Sequence, residues 1–249
     1  MTMPVAVVTG AGSGVGRGVA VRLATDGYAL ALVGRTTSTL EETRLLLQRP
    51  EEALVHACDV SQEDQVAALF ERVVAVYGRV DLLFNNAGVP GPRAPVESIA
   101  ALEWRRTMDV NVTGSFLCAQ QAFRIMREQR PQGGRIVNNG SIAAHAPRPQ
   151  GAAYSASKHA VSGLTKSLAL EGRPYSIACG QIDVGNARTS MVEGAEQGTL
   201  QADGSTRPEP TFSVDGVVAA VALMAALPLE SNVLSLTILA TGMPFVGRG

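Results

Sequence analysis

The sequence predicts an α/β fold, a doubly wound, seven-stranded parallel sheet with helices on both faces, and three observations carry that prediction. Short apolar or β-branched runs alternate with longer amphipathic ones, the pattern of repeated βαβ units. Most of the short runs lack polar alternation, as strands covered on both faces do. The first run ends in a glycine cluster that leads directly into a helical pattern.

In chain order, the predicted strands are Val5 to Thr9, Ala29 to Gly34, Ala53 to Cys58, Leu82 to Asn85, Arg135 to Asn139, Ser176 to Ile182 and Val233 to Leu239. Between them lie predicted helices over Gly14 to Asp26, Thr39 to Arg49, Gln62 to Tyr77, Ala100 to Glu128, Ala152 to Glu171 and Ser213 to Ala226. Ser61 with Asp64, and Ser213 with Asp215, read as helix caps followed by an acidic first turn. No repeat or linker interrupts the series, so residues 1–249 are expected to form one domain. One stretch fits neither period: Gly185 to Pro210, within about residues 185–212, is rich in Gly, Ser, Thr, Glu and Pro. Because it follows the sixth strand it leaves the carboxyl edge of the sheet, where ligands bind in such folds. A loop of this length is functional or irregular surface, and a substrate lid is the expectation, with a solvated excursion as the alternative.

Composition narrows the partners. A net charge of −1 and a pI near 6.3 remove the broad attraction that nucleic acid or an anionic membrane surface needs. The longest apolar stretch, Val217 to Leu227, is too short to span a bilayer. Cys58, Cys118 and Cys179 are odd in number and widely spaced, which suggests neither a disulfide framework nor a zinc site, and His56, His145 and His159 show no ligand spacing, so no metal is expected. The chain passes at once into its first strand, with no secretory pattern ahead of it. A cytoplasmic protein whose partners are small molecules or copies of itself is the expectation.

The turn after the first strand reads Thr9-Gly10-Ala11-Gly12-Ser13-Gly14-Val15-Gly16. Glycines let the backbone turn tightly and approach a pyrophosphate, whose charge meets free N–H groups and the positive end of a helix dipole. A strand before and a helix after supply the context that makes this a Rossmann dinucleotide site rather than a mere tight turn. The second strand ends Val33-Gly34-Arg35-Thr36, where NAD-binding sheets carry a carboxylate for the ribose diol. Arg35 instead suits a 2′-phosphate, so NADP(H) is expected and NAD(H) is the alternative. Asp59 and Val60, after the third strand, are placed to meet the adenine, although Asp59 also serves as a turn cap.

Tyr154 and Lys158 are four apart in a helical pattern and share one face. With four tyrosines and two lysines in 249 residues, this spacing arises in about 3% of shuffled chains. A phenol is a poor acid or base at neutrality, and a nearby ammonium favours its ionised form. Ser141 follows the fifth strand in Asn139-Gly140-Ser141, where its hydroxyl can hold a carbonyl beside the tyrosine.

Together these residues resemble the short-chain dehydrogenase/reductase family over nearly the whole chain. Thr9-Gly10-x-x-x-Gly14-x-Gly16 is similar to its cofactor turn, and Asn85-Asn86-Ala87-Gly88 to the motif that ends its fourth strand beside the adenosine. Asn111 matches its helix asparagine, completing a tetrad of Asn111, Ser141, Tyr154 and Lys158. The resemblance implies hydride transfer between the nicotinamide and a carbonyl or secondary alcohol carbon. Tyr154 would exchange the proton, Ser141 polarise the oxygen, Lys158 hold the nicotinamide ribose and Asn111 link the site to solvent. The family's Pro-Gly after the sixth strand is replaced by Cys179-Gly180, which leaves Ile182, Val184, Asn186 and Thr189 as candidates for the carboxamide. The last strand leads into Ala240-Thr241-Gly242-Met243 rather than an Asp-Gly-Gly turn. His145, Pro147, Arg148, the lid and the tail from Met243 to Arg248 are expected to shape the pocket. Family analogy also implies a homo-oligomer, a dimer or tetramer. The retained tetrad weighs against the non-catalytic alternative, a dinucleotide-binding sensor.

Overall fold

The strands form where the sequence supplies uninterrupted apolar runs, and they pair in parallel because each is followed by a helix that returns the chain to the same edge. The structure is a computed structural model that describes residues 3–189 and 198–246. Among these residues nine strands occur: β1 (Val5–Thr9), β2 (Ala29–Gly34), β3 (Leu54–Ala57), β4 (Leu82–Asn85), β5 (Gly134–Asn139), β6 (Ile177–Gly185), β7 (Thr199–Leu200), β8 (Thr206–Arg207) and β9 (Ser235–Leu239). Seven of them build one parallel sheet in the order β3-β2-β1-β4-β5-β6-β9, and β7 with β8 makes a small antiparallel ribbon. The helices are α1 (Gly14–Thr25), α2 (Thr37–Arg44), α3 (Glu63–Tyr77), α4 (Ala101–Met108), α5 (Gly114–Glu128), α6 (Ala152–Glu171) and α7 (Val214–Ala226). None of the described helices is long and apolar enough to cross a membrane.

Strand β1 shows how the double winding arises. Val5 and Val7 enter a core with Leu69 and Phe70 of α3 and Cys118 and Met126 of α5. The intervening Ala6 and Val8 enter a second core with Leu23 of α1 and Val217 and Val221 of α7. The period of two thus distributes one strand between two buried faces. The sheet reverses direction between β1 and β4, and such a switch point opens a crevice at the carboxyl ends of the strands.

Some boundaries differ from those the sequence predicts. Helix α2 starts two residues earlier and stops at Arg44; Pro50 restrains Arg49 to φ −131°, ψ 73°, outside the helical region. The predicted helix from Ala100 to Glu128 is two helices joined by a π-helical turn, Asp109–Thr113. At its end a Cβ on Gly114 would lie 2.6 Å from Cγ2 of Val60, so only glycine allows this approach. Strand β6 runs three residues past Ile182, because Asp183, Val184 and Gly185 still pair with Thr237, Ile238 and Leu239 of β9. Ser61 does not cap α3: Gln62 holds the cap position, and the Ser61 hydroxyl donates to Asp59 at 2.7 Å instead. Ser213 does cap α7, accepting the Asp215 N–H at 3.2 Å.

Candidate functional site

A cleft of about 590 Å³ runs along the carboxyl ends of β1, β2, β4, β5 and β6. Of the residues singled out in the sequence, it brings together Gly10, Gly12, Ser13, Gly14, Val15, Arg35, Asp59, Val60, Asn86, Ala87, Gly88, Ser141, Tyr154, Val184 and Thr189.

At one end the glycine turn leads into α1. Gly10 and Gly14 have φ of +65° and +51°, conformations that side-chain-bearing residues rarely adopt. Ser13, at the cap position, makes no side-chain bond to the helix, and the first turn carries no acidic residue. The leading N–H groups of α1 therefore face the cleft without a side-chain partner, an arrangement suited to an anion such as a pyrophosphate. Gly16 acts behind the wall: a Cβ there would collide with the Gly10 carbonyl oxygen and lie 2.5 Å from Asn86 Nδ2. Arg17, which the sequence reading did not single out, straps the turn to α2. It donates to the Gly12 carbonyl at 2.6 Å and to Thr43 Oγ1 at 3.1 Å, and pairs with Glu42 at 2.8 Å.

The Asn85-Asn86-Ala87-Gly88 segment ties the neighbouring strand ends together. Thr9 Oγ1 accepts the N–H groups of Asn86 and Ala87 at 2.9 and 3.0 Å, and Asn86 Nδ2 returns a bond to the Thr9 carbonyl at 2.9 Å. Asn139 on β5 donates to Asn86 Oδ1 at 2.9 Å, so β1, β4 and β5 end in one polar lattice. Arg35 lies exposed at the end of β2 and makes no hydrogen bond or ion pair among the described residues. Asp59 is the one carboxylate among the described residues lining the cleft. Its Oδ1 accepts both the N–H and the hydroxyl of Ser61, which is the turn-capping role.

The other end holds the tetrad. Ser141 caps a short 3₁₀ turn, Ile142–Ala144, accepting the Ala143 N–H at 3.1 Å. Tyr154 stands on the first turn of α6 and lines the same cleft. Lys158 is buried one turn on, donating from Nζ to the Asn139 carbonyl at 2.7 Å and lying 5.6 Å from the centre of the Tyr154 ring. Asn111 sits in the π-helical turn behind the cleft. Its Oδ1 accepts the Val89 N–H at 2.8 Å, and its Nδ2 donates to the Val89 carbonyl and to Ser157 Oγ, both at 3.0 Å. Ser157 in turn donates to the Tyr154 carbonyl at 2.7 Å, so Asn111 braces the start of α6.

The segment after β6 is where sequence and structure part. Gly180 lies within β6, where a Cβ would collide with the Val233 carbonyl oxygen, and Ile182 is enclosed in the core. Neither lines the cleft. Since β6 ends at Gly185, the pair at the strand end is Val184-Gly185, which lines the cleft together with Asn186 and Thr189. Part of the predicted lid, residues 190–197, lies outside the described residues, as do residues 247–249 of the tail. Thr199 and Leu200 of β7 reach the cleft, and the enclosed Glu209 pairs with Arg148 on the opposite rim while accepting from Asn186 Nδ2 at 2.9 Å. Met243 packs against Ile142 and Ala240, and the Phe245 ring stands edge-on to His145 at 6.3 Å. Asp183 and Glu209, both central to this end, were missed in the sequence because nothing local marks an acid that becomes buried through distant partners.

The "short chain dehydrogenase" family model matches residues 4–199. A 3beta-hydroxysteroid dehydrogenase of Mediterraneibacter gnavus is 39% identical over 191 residues, covering 75% of this chain and 67% of that protein. Among solved structures, the 3-ketoacyl-(acyl-carrier-protein) reductase of Brucella melitensis complexed with NADH superposes with a TM-score of 0.83 at 28% identity, over 95% of this chain and 97% of that one. An actinorhodin polyketide ketoreductase with NADPH gives 0.85 at 29% identity, over 96% and 98%. Sequence, fold and site geometry agree with these likenesses: the chain belongs to the short-chain dehydrogenase family.

Proposed function

We propose that the protein is an NADP(H)-dependent oxidoreductase that interconverts a carbonyl compound and a secondary alcohol, with Tyr154 as the general acid and base. The observation that carries this reading is that Tyr154 and Ser141 line the same cleft as the uncapped N-terminus of α1, with Lys158 enclosed beside the tyrosine.

The residues present fit a nicotinamide dinucleotide. The turn from Gly10 to Gly16 and the N–H groups of α1 would hold the pyrophosphate, Arg35 the 2′-phosphate, and Asp59 and Val60 the adenine. Asn86, Ala87 and Gly88 would flank the adenosine, and Val184, Asn186 and Thr189 the carboxamide. When bound, the cofactor supplies or accepts the hydride at its nicotinamide carbon. Tyr154 passes its hydroxyl proton to the substrate oxygen in reduction and takes it back in oxidation. Ser141 donates a hydrogen bond to that oxygen and orients it, and Lys158 brings a positive charge to the phenol oxygen. Asn111 keeps α6 and the β4–α4 loop in register through Ser157 and Val89.

Arg35 supports NADP(H), since it is an exposed guanidinium with no partner among the described residues, at the strand end where NAD-binding sheets carry an acid. The NADH-bound relative favours the rival reading, NAD(H). Titration with NADPH and with NADH by nicotinamide fluorescence separates them. NADPH is expected to bind at least tenfold tighter, a preference of about 1.4 kcal/mol, and Arg35→Ala is expected to abolish the difference. Equal or tighter binding of NADH overturns the NADP(H) assignment. We further place the protein in the cytoplasm as a homo-oligomer. Leu102, Trp104 and Phe116 on α4 and α5 are exposed apolar side chains that support self-association.

A further inference from the structure

Ser141 does not hold its position by its own turn alone. Its N–H donates at 3.0 Å to Oδ1 of Asp183, a side chain with no exposed surface. The last backbone bond between β5 and β6 runs from the Gly140 N–H to the Ile182 carbonyl at 2.8 Å, so this carboxylate continues the ladder one residue further, as a side chain in place of a backbone carbonyl. The other oxygen, Oδ2, meets His145 Nε2 at 2.7 Å and lies 3.5 Å from Ser235 Oγ. Ser141 and His145 are the two end residues of the Ile142–Ala144 turn. One carboxylate thus grips both ends of the turn that presents the serine to the cleft.

Two further observations show that this grip is built into the fold. Gly140 leaves room for it: a Cβ there would collide with Asp183 Oδ1 and lie 2.6 Å from Gln181 Nε2. Gln181 Nε2 also donates to Asp183 Oδ1 and, at 2.9 Å, to Ser162 Oγ of α6, while Thr165 of α6 donates to Gln181 Oε1 at 3.1 Å. The helix that carries Tyr154 and Lys158 is therefore joined through Gln181 and Asp183 to the turn that carries Ser141, in a chain of buried polar groups whose members share partners. We infer that Asp183 is a positioning residue for Ser141, clamping the Ser141–His145 turn against β6 so that the serine hydroxyl is fixed relative to Tyr154. The inference rests on the proposed role of Ser141.

The test combines hydrogen exchange with kinetics on the full chain. Asp183→Ala is expected to speed amide exchange across residues 141–146, and Asp183→Asn, which keeps an oxygen for the Ser141 N–H, to restore most of the protection. Unchanged exchange in Asp183→Ala overturns the clamp. Turnover of a carbonyl substrate is expected to fall about 10- to 100-fold in Asp183→Ala, the scale of a misplaced catalytic group, with NADPH affinity retained. In a Ser141→Ala background the same substitution is expected to cost no further turnover, because the clamp acts through the serine. Costs that multiply mean that Asp183 acts on folding or on another group, and the inference fails. If Ser141→Ala alone leaves turnover intact, the proposed role of the serine falls and takes the catalytic half of the inference with it, while the exchange data still decide the clamp.

Discussion

The two ends of the cleft are built by different means. At the α1 end the backbone does the binding. Glycines are required there by collisions with the Gly10 carbonyl, Thr39 and Asn86, and a helix N-terminus is left open. At the α6 end side chains do the work, and they are held by partners far away in sequence, Asp183 for Ser141 and Glu209 for Arg148. A site made of backbone depends on what is absent, a Cβ or a cap. A site made of side chains depends on every member of a network being satisfied. The first kind fails when something is added, the second when something is removed.

Tyr154→Phe removes one hydroxyl from the side-chain end and gives the largest expected effect. Turnover should fall about 10²- to 10⁴-fold, the usual contribution of a positioned acid and base, while NADPH affinity measured by fluorescence stays within about twofold. A parallel loss of cofactor binding would mean that the two ends are not separable. Gly16→Ala adds one methyl group at the backbone end and should do the converse. The added carbon meets the Gly10 carbonyl and Asn86, neither of which is free to move, since Asn86 is bonded to Thr9 and Asn139. Overpacking of this kind costs about 1–3 kcal/mol, or a melting midpoint lower by roughly 2–12 °C in a chain of this size. NADPH binding should weaken along with it. Retained binding at wild-type stability would show that the close approach is dispensable.

The same contrast explains what could be read from the sequence. Glycine spacing, the Tyr154–Lys158 pair and the apolar runs are local signals, and they placed five of the seven sheet strands to within one residue at both ends and all four tetrad members at or just behind the cleft. The π-helical turn at Asp109–Thr113 was not legible, because a helical period survives one inserted residue in a long amphipathic stretch. The end of β6 was misplaced for a related reason. Asp183 looks like a strand terminator in sequence, and it becomes tolerable inside the strand only because Ser141 and His145 on a neighbouring segment, with Gln181 two residues back on the same strand, satisfy its carboxylate. That shift moved the strand-end pair from Cys179-Gly180 to Val184-Gly185.

Glu209→Ala sharpens the comparison within the side-chain end. Glu209 is enclosed and ties the segment after β8 to Arg148 and Asn186, so its loss takes a charged acceptor from both. Thermolysin cleavage of the Thr199–Leu200 bond in β7 is expected to accelerate several-fold, as local opening requires, with NADPH affinity unchanged. Cleavage at the wild-type rate would mean that the ribbon of β7 and β8 is held by other contacts.

The smallest expected effect tests both ends through their buried thiols. Burial pushes Cys58, near Asp59 in the cleft wall, up to about 11, with Asp59 and Asp64 adding to the shift, and burial pushes Cys179 on β6 up to about 12. Cys118 shifts in the same direction, again chiefly through burial. An unfolded chain releases these protons near its ordinary thiol range while the folded chain retains them, so stability is fully present below about pH 8.5 and declines as the pH rises toward 11. The melting midpoint should therefore be lower at pH 10.5 than at pH 8, by about 2–4 °C for each kcal/mol lost. Cys58→Ala and Cys179→Ala should each flatten that slope, one from the backbone end and one from the side-chain end. An unchanged slope in both variants would assign the alkaline loss to Cys118 and to the half-buried Tyr28 and Tyr77 phenols, which burial also shifts upward.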